Sequence, residues 1–252
     1  MIKMILCGSN GKMGKTVTEI VNADPEIEIV AGVDKAGNAP GGYPVYSNLK
    51  DVTEKADVVV DFSRPDALYE SNILGLAKER GYALVLCTTG YGEEELKAIN
   101  EAAKDVAILR SANMSLGINL LLKLVAEAAS LLCKEGFDPE IIEKHHNQKV
   151  DAPSGTALAL ADSINSVLNN EYEYKYDRHS VREKRPVKEI GISALRGGNI
   201  VGEHEVYFAG TDEVIELRHT AYSKAVFGKG AVAAAKFLAD KKPGMYNMQD
   251  VV

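Results

Sequence analysis

Long uninterrupted apolar runs are missing from this 252-residue sequence, and so are cysteine clusters and any excess of positive charge. The start, Met1-Ile2-Lys3-Met4-Ile5-Leu6-Cys7, is too short an apolar stretch before Gly8 for a secretory signal, and no segment reads as spanning a membrane. The three cysteines, Cys7, Cys87 and Cys133, stand far apart in apolar surroundings without a C-x-x-C pair. They read as reduced packing residues of a cytoplasmic protein. A formal charge of -7 disfavours broad nucleic-acid binding and leaves room only for a local basic pocket. No cysteines or histidines fall at zinc-ligand spacing, so no metal is expected.

What is present is ordinary globular material, 46% hydrophobic and 26% charged, enough for one large or two modest domains. The residues after Cys7 are Gly8-Ser9-Asn10-Gly11-Lys12-Met13-Gly14, followed by an amphipathic stretch with Met13, Val17, Ile20 and Val21 on one face. A second apolar run, 27–33, closes on Asp34. This is a strand, a glycine turn, a helix and a strand, with an acid twenty residues after Gly14. Gly8 permits the tight turn, Gly11 lets the backbone approach a pyrophosphate, and Gly14 lets helix and strand pack closely. The G-x-x-G-x-x-G spacing varies the commoner G-x-G-x-x-G. Asp34 as acceptor for a ribose hydroxyl favours NADH, whereas Lys35 beside a 2′-phosphate favours NADPH, and the sequence leaves the two open.

Further strands are expected at 56–62, 82–87 and 106–110, with helices from Ser63-Arg64-Pro65 to about Arg80 and from Glu93 to Lys104. Helices between parallel strands predict a doubly wound sheet that binds its ligand beyond the carboxyl ends of its strands. The second half reads differently. Leu116, Leu120, Leu121, Leu124, Ala128, Leu131 and Leu132 recur at helical spacing and predict a core stripe, and a helix from about Ser154 turns Ala157, Ala161, Ile164 and Leu168 inward. Residues 172–185 read as a solvated loop or edge strand. Strands at 187–196, 204–209 and 214–219 predict a mixed or antiparallel sheet with one face under the two helices. Val206, Phe208, Ile192 and Ile215 suggest an oligomer contact on the other face. A last helix, 230–239, is expected to return to the first domain. The fold class is therefore α/β, a Rossmann-type parallel sheet over 1–113 plus a smaller α+β domain over 114–224, with 225–252 as the returning segment.

The densest chemistry lies at His145-His146-Asn147-Gln148-Lys149-Val150-Asp151-Ala152-Pro153-Ser154-Gly155-Thr156. Taken singly these residues are unremarkable: a lone histidine is more often structural, Lys149 alone is a surface charge, and Asp151 and Pro153 suit a helix start. Adjacent histidines on a strand face opposite sides, which argues against a shared metal. Together they set proton donors beside the free N–H groups of a helix start, where an anion is favoured. The combination predicts an enzyme acting on a small acidic molecule.

The whole pattern resembles the dihydrodipicolinate reductase (4-hydroxy-tetrahydrodipicolinate reductase) family of the diaminopimelate route to lysine. The resemblance runs through Gly8 to Gly14, Asp61-Phe62-Ser63-Arg64-Pro65, Thr88-Thr89-Gly90 and Ala112 to Asn119. It continues through His-His-x-x-Lys-x-Asp-Ala-Pro-Ser-Gly-Thr-Ala, Arg196 to His204, and Gly244 to Val251. It implies NADH and/or NADPH as cofactor, held by Gly8, Ser9, Asn10, Gly11, Lys12, Met13, Asp34 and Lys35. Cys87, Thr88, Thr89, Ser111, Ala112, Asn113 and Met114 would lie toward the nicotinamide end. It further implies His145 and Lys149 as the catalytic pair, His146, Gly155 and Thr156 as holders of substrate carboxylates, and a homotetramer. Cys87 stands where the family often has Gly, Met114 where an aromatic is common, and Lys224 where Arg is frequent. Two other readings compete. A different Rossmann-fold dehydrogenase of aspartate-derived metabolites would use a nucleophilic cysteine or another Lys/Asp pair, and Cys7 and Cys133 sit in core-like contexts. A non-catalytic dinucleotide-sensing protein would not need the cluster at 145–156.

Overall fold

In the first half of the chain β-branched apolar runs alternate with amphipathic stretches, and the backbone follows that alternation. The computed structural model describes residues 1–35, 37 and 41–252, and it divides into two units, Met1–Leu116 with Ala225–Val252, and Gly117–Lys224. Unit 1 begins with β1 (Ile2–Cys7), α1 (Lys12–Asn22), β2 (Ile27–Val33), β3 (Val45–Tyr46) and β4 (Val58–Asp61). The helix expected from residue 63 to 80 is two helices, α2 (Ala67–Glu70) and α3 (Ile73–Arg80). The break falls at Asn72, which adopts a left-handed φ of 46°, a conformation that Asn tolerates better than most residues. Then come β5 (Ala83–Leu86), α4 (Glu93–Ala102) and β6 (Ala107–Arg110). The Glu95 carboxylate accepts from the Gly92 N–H at 2.9 Å and fixes the start of α4.

Unit 2 contains α5 (Leu116–Leu132), β7 (Asp138–His145), α6 (Gly155–Ser166), β8 (Glu173–Lys175), β9 (Glu189–Arg196), β10 (Gly202–Ala209) and β11 (Val214–Ala221). Its strands order as β11-β10-β7-β9-β8, with β10 antiparallel to β7 and β11, and β9 parallel to β7 and β8, so the sheet is mixed as predicted. Two expectations about its faces fail. The core face of α5 is Ile118, Leu121, Val125 and Ala129, while Leu116, Leu120, Leu124 and Leu131 are exposed, Leu131 by 64%. The helix carries leucines on two sides, and a stripe drawn through all of them crosses both. Together with the 3-10 turn after it, residues 116–135 are long and apolar enough by composition to cross a membrane, yet Leu121, Val125, Ala129 and Cys133 belong to the core of unit 2.

The second correction concerns the sheet. Val206, Phe208 and Ile192 are buried under α5 and α6, and only Ile215 of the four suggested contact residues is exposed. Side chains alternate along a strand, and Val206 pairs with Ile141, which already faces the core. The opposite face is a polar ladder: Lys144 bonds Glu205 at 2.7 Å, and Arg218 bonds Glu203 at 2.7 Å.

The chain returns to unit 1 with α7 (Ala225–Leu238), longer at its start than the 230–239 expected, and β12 (Gly244–Tyr246), which the sequence did not suggest. The sheet of unit 1 orders β12-β6-β5-β4-β1-β2-β3 with every pair parallel. One of its faces packs on α1 and α7 through Val17, Val21, Ala231, Ala235 and Leu238, and the other on α3 and α4 through Ile73, Leu76, Ala77 and Ile99. The strand order reverses direction between β1 and β4, and doubly wound sheets open a ligand crevice at such a point.

Candidate active site

At that point β1 ends and the chain turns through Gly8, whose φ of +75° suits glycine and whose N–H donates to Val33 O at 2.8 Å. A Cβ on Gly8 would sit 2.7 Å from Phe62 O at the end of β4, and one on Gly14 would sit 2.3 Å from Gly8 O. The turn is thus packed between the neighbouring strand end and the first turn of α1. Gly11 caps α1 without a side chain, so nothing from the cap residue satisfies the first-turn N–H groups, which lack intrahelical partners. Asp34, at the end of β2, accepts from the Asn10 N–H at 3.0 Å. A cleft of about 350 Å³ opens here, lined among others by Gly8, Gly11, Asp34, Lys35, Arg64 and Glu70. A dinucleotide fits these residues: side-chain-free backbone for phosphates, and a carboxylate for ribose hydroxyls.

The ends of β4 and β5 meet at Asp61, whose residue type and position in the sequence announce no role. Asp61 is 1% exposed; it accepts from Ser63 Oγ at 2.5 Å, from Thr88 Oγ1 at 2.8 Å and from Tyr91 OH at 3.4 Å. Burial raises the pKa of this carboxyl, and the hydrogen bonds pull against that shift. Asp61 thereby fixes Thr88 at the carboxyl edge of the sheet. Burial and the Asp61 charge push the Cys87 thiol well above its ordinary value, which leaves it unreactive. At the end of β6, Ser111 Oγ donates to Asn113 O at 3.1 Å, and Asn113 Oδ1 accepts from the Ser115 N–H at 2.9 Å. Gly8 to Met13, Asp34, Lys35, Cys87, Thr88, Thr89 and Ser111 to Met114 therefore all follow strands β1, β2, β5 and β6 of one sheet.

In unit 2, β7 carries Glu143 and His145 on one face because they are two residues apart. The Glu143 side chain is 0% exposed and is met by four donors. His145 Nδ1 lies at 2.5 Å, Arg196 Nη1 and Nη2 at 2.9 and 2.7 Å, and the Ser154 N–H at 3.0 Å. Burial pushes this carboxyl up, but the bonds from His145, Arg196 and Ser154 win and hold it at about 2. An ionised Glu143 accepts from Nδ1–H, which leaves Nε2 as the nitrogen of His145 free to exchange a proton. Arg196 reaches Glu143 because β9 runs beside β7 with Arg196 in register with His145. Ser154 caps α6, its Oγ accepting from the Ala157 N–H at 3.2 Å and lying 3.1 Å from His204 Nε2. His204, 4% exposed, stacks edge-on against His145 at 5.2 Å and is pushed down to about 3, first by burial and then by the charge of His145.

Lys149 sits in the turn after β7 with Nζ 2.9 Å from Asp151 Oδ1. Gly155 and Thr156 open α6. The buried His146 Nδ1 has no hydrogen-bond partner among the described residues. Within unit 2 the predicted residues thus gather at one end of β7 and at the start of α6. Sequence reading missed Glu143, Arg196, Ser154 and His204 as members of this network. For Glu143 a signal existed, its i−2 position before His145 on a strand. Arg196 and His204 mark the ends of a stretch that carries the family resemblance, but only strand pairing brings them to Glu143 and His145. No group of three or more His, Cys, Asp or Glu suited to a metal ion occurs among the described residues.

A glycine turn at the switch point of a doubly wound parallel sheet, followed by a second unit with its own acid–base network, defines a Rossmann-type oxidoreductase. Comparison with known proteins narrows the class. The models "Dihydrodipicolinate reductase, N-terminus" and "Dihydrodipicolinate reductase, C-terminus" match residues 2–114 and 117–252, and the chain belongs to this family. It is 56% identical to the 4-hydroxy-tetrahydrodipicolinate reductase of Caldanaerobacter subterraneus subsp. tengcongensis, over 100% of this chain and 98% of that one. Against the enzyme of that name from Clostridium novyi it is 48% identical with the same coverage. Among solved structures it is similar to the dipicolinate-bound dihydrodipicolinate reductase of Paenisporosarcina sp. TG-14. The TM-score is 0.84, with 27% identity and 100% of both chains covered. A probable dehydrogenase of Thermotoga maritima, at TM-score 0.63 and 10% identity over 99% of this chain and 92% of that one, shares the fold alone.

Proposed function

We propose that this chain catalyses the NAD(P)H-dependent reduction of 4-hydroxy-tetrahydrodipicolinate, with loss of water, to tetrahydrodipicolinate in the diaminopimelate route to lysine. The observation that carries the reading is the buried Glu143–His145–Arg196 network set against the start of α6. The dinucleotide, when bound, supplies the hydride. In unit 1, Gly8 to Met13 hold its phosphates, Asp34 its ribose hydroxyls, and Cys87, Thr88, Thr89 and Ser111 to Met114 lie toward its reducing end. In unit 2, the N–H groups of Gly155 and Thr156 at the start of α6 clamp one carboxylate of the cyclic imine, and His146 helps to hold it. Lys149 supplies positive charge as the ring gains electrons, or the proton that His145 then relays. His145, with Nδ1 committed to Glu143, gives or relays the proton through Nε2. The dipicolinate held by the Paenisporosarcina relative supports a planar dicarboxylate as the ligand shape.

The finer points of the reading are a homotetramer, as the family resemblance implies, a cytoplasmic location, and no nucleic-acid or membrane partner. The test is direct. The protein is mixed with NADH or NADPH and the condensation product of pyruvate and aspartate semialdehyde, and loss of reduced-cofactor absorbance is followed. Oxidation is expected; none with either cofactor, from folded protein, overturns the proposal. Lys149→Ala and His145→Ala are each expected to lower kcat by about 10²–10⁴-fold, the usual worth of general acid catalysis.

A further inference from the structure

The cleft beside Asp34 holds more carboxylates than a 2′-phosphate site needs. Lys35, the residue able to meet such a phosphate, donates from Nζ to Glu70 Oε2 at 2.7 Å. Glu70 reaches it from the end of α2 and lines the same cleft. Arg64, the other cation lining it, is 2.9 Å from Asp66 and 3.9 Å from Glu70. Each cation of the cleft thus has a carboxylate partner, and Asp34 adds a further negative charge. The hydrogen bond from Lys35 holds the Glu70 carboxyl below its ordinary value, so it is ionised at neutral pH.

We propose that Glu70 is a specificity-determining residue that turns this chain toward NADH by occupying Lys35. The inference rests on the proposed dinucleotide role of unit 1. A phosphate monoester brings close to two negative charges at neutral pH. To meet it, Lys35 leaves Glu70, and the freed carboxylate stays beside the phosphate as a like charge. A ribose 2′-hydroxyl requires neither step, because Asp34 accepts from it directly. Glu70 therefore acts twice against a 2′-phosphate, by engaging its cation and by repelling it.

The test is calorimetric and needs no turnover. Dissociation constants are measured for NADH and NADPH, and for 5′-AMP and 2′,5′-ADP, which differ only by the phosphate. Wild-type protein is expected to bind NADH more tightly than NADPH. Glu70→Gln should improve the NADPH-to-NADH affinity ratio by about two- to fivefold, the scale of one exposed ion pair, and move the two fragments in the same sense. In the Glu70→Gln background, Lys35→Gln should abolish that gain, whereas in wild type Lys35→Gln should cost NADPH less. Both Lys35 and Glu70 are well exposed, so these variants keep the fold, which melting curves check. A wild type that prefers NADPH, or a ratio that Glu70→Gln leaves in place, overturns the inference while leaving dinucleotide binding intact. Binding of neither dinucleotide overturns the reading beneath it, and this inference with it. Binding without reductase turnover overturns only the proposed reaction.

Discussion

At the scale of single residues the site turns on one carboxylate. Glu143 accepts from four donors at once, which an ionised carboxylate can do and an amide cannot. Glu143→Gln turns an NH2 toward Arg196, His145 or the Ser154 N–H, so at least one donor is left facing a donor. Breaking a buried pair of this kind typically costs about 3–5 kcal/mol. The melting temperature should fall accordingly, and kcat should fall more than KM rises, because His145 loses the group that fixes its tautomer. Glu143→Asp keeps the charge on a shorter stem and should recover part of kcat. A 15N spectrum of the wild-type imidazole, with the proton of neutral His145 on Nδ1, checks the premise without any substitution; a proton on Nε2 would refute it. Sequence reading picked out His145, Lys149 and the start of α6 because their residue types announce proton and anion chemistry. It passed over Glu143, whose pattern reads as an ordinary alternating strand, and Glu70, whose partner is 35 positions away.

Elements were legible where a period and a punctuating residue agreed. The run 27–33 closing on Asp34, the turn from Gly8 to Gly14 and the helix after Ser154 all meet that condition. Short edge strands do not: β3 and β12 have two and three residues, too few for an alternation to appear. The two-faced helix α5 failed for the opposite reason, since leucines on both sides hide which side is core. Helix α7 shows how packing overrides propensity. Alanine is better than glycine in a helix interior by about 1 kcal/mol, which alone would make both Gly228→Ala and Gly230→Ala stabilising. Their surroundings differ. A Cβ on Gly228 meets the Ile20 Cδ1 tip at 2.9 Å, and a side-chain tip can rotate away. A Cβ on Gly230 would fall 1.6 Å from the Met114 carbonyl oxygen, which is backbone. Gly228→Ala should therefore be within about 1 kcal/mol of wild type in a denaturant melt, while Gly230→Ala should lose about 2 kcal/mol or more, as overpacking against fixed atoms does. Equal melts for the two variants would refute this account of α7.

For the molecule as a whole, acid should weigh on unit 2 before unit 1. In unit 2 His204 is neutral when folded, with a pKa of about 3 against an ordinary 6.5. Between those values the unfolded chain binds a proton that the folded one refuses, so stability falls as pH falls. The groups acting on His204 are His145, Glu143, His219 and Lys149, and of these only Glu143 favours its protonation. Burial lowers His219 too, which adds to the same trend. Glu143 joins later: its folded pKa near 2 lies under an ordinary 4.5, so its contribution is complete above 4.5 and is lost as pH drops toward 2. In unit 1 buried Asp61 has the reverse sign, because its pKa is raised and its protonation favours the folded state, which opposes the loss from Asp24 and Glu70, whose pKa values are lowered. By pH 4.5 His204 alone should have cost unit 2 roughly 2–3 kcal/mol. Hydrogen exchange followed by mass spectrometry should therefore show peptides from 117–224 losing protection before those of unit 1 as pH is lowered from 7 to 4.5. His204→Gln, which still offers an acceptor to Ser154, should flatten that dependence. Simultaneous loss of protection in both units, or an acid response that His204→Gln leaves intact, would mean that His204 does not govern the acid limit of this fold.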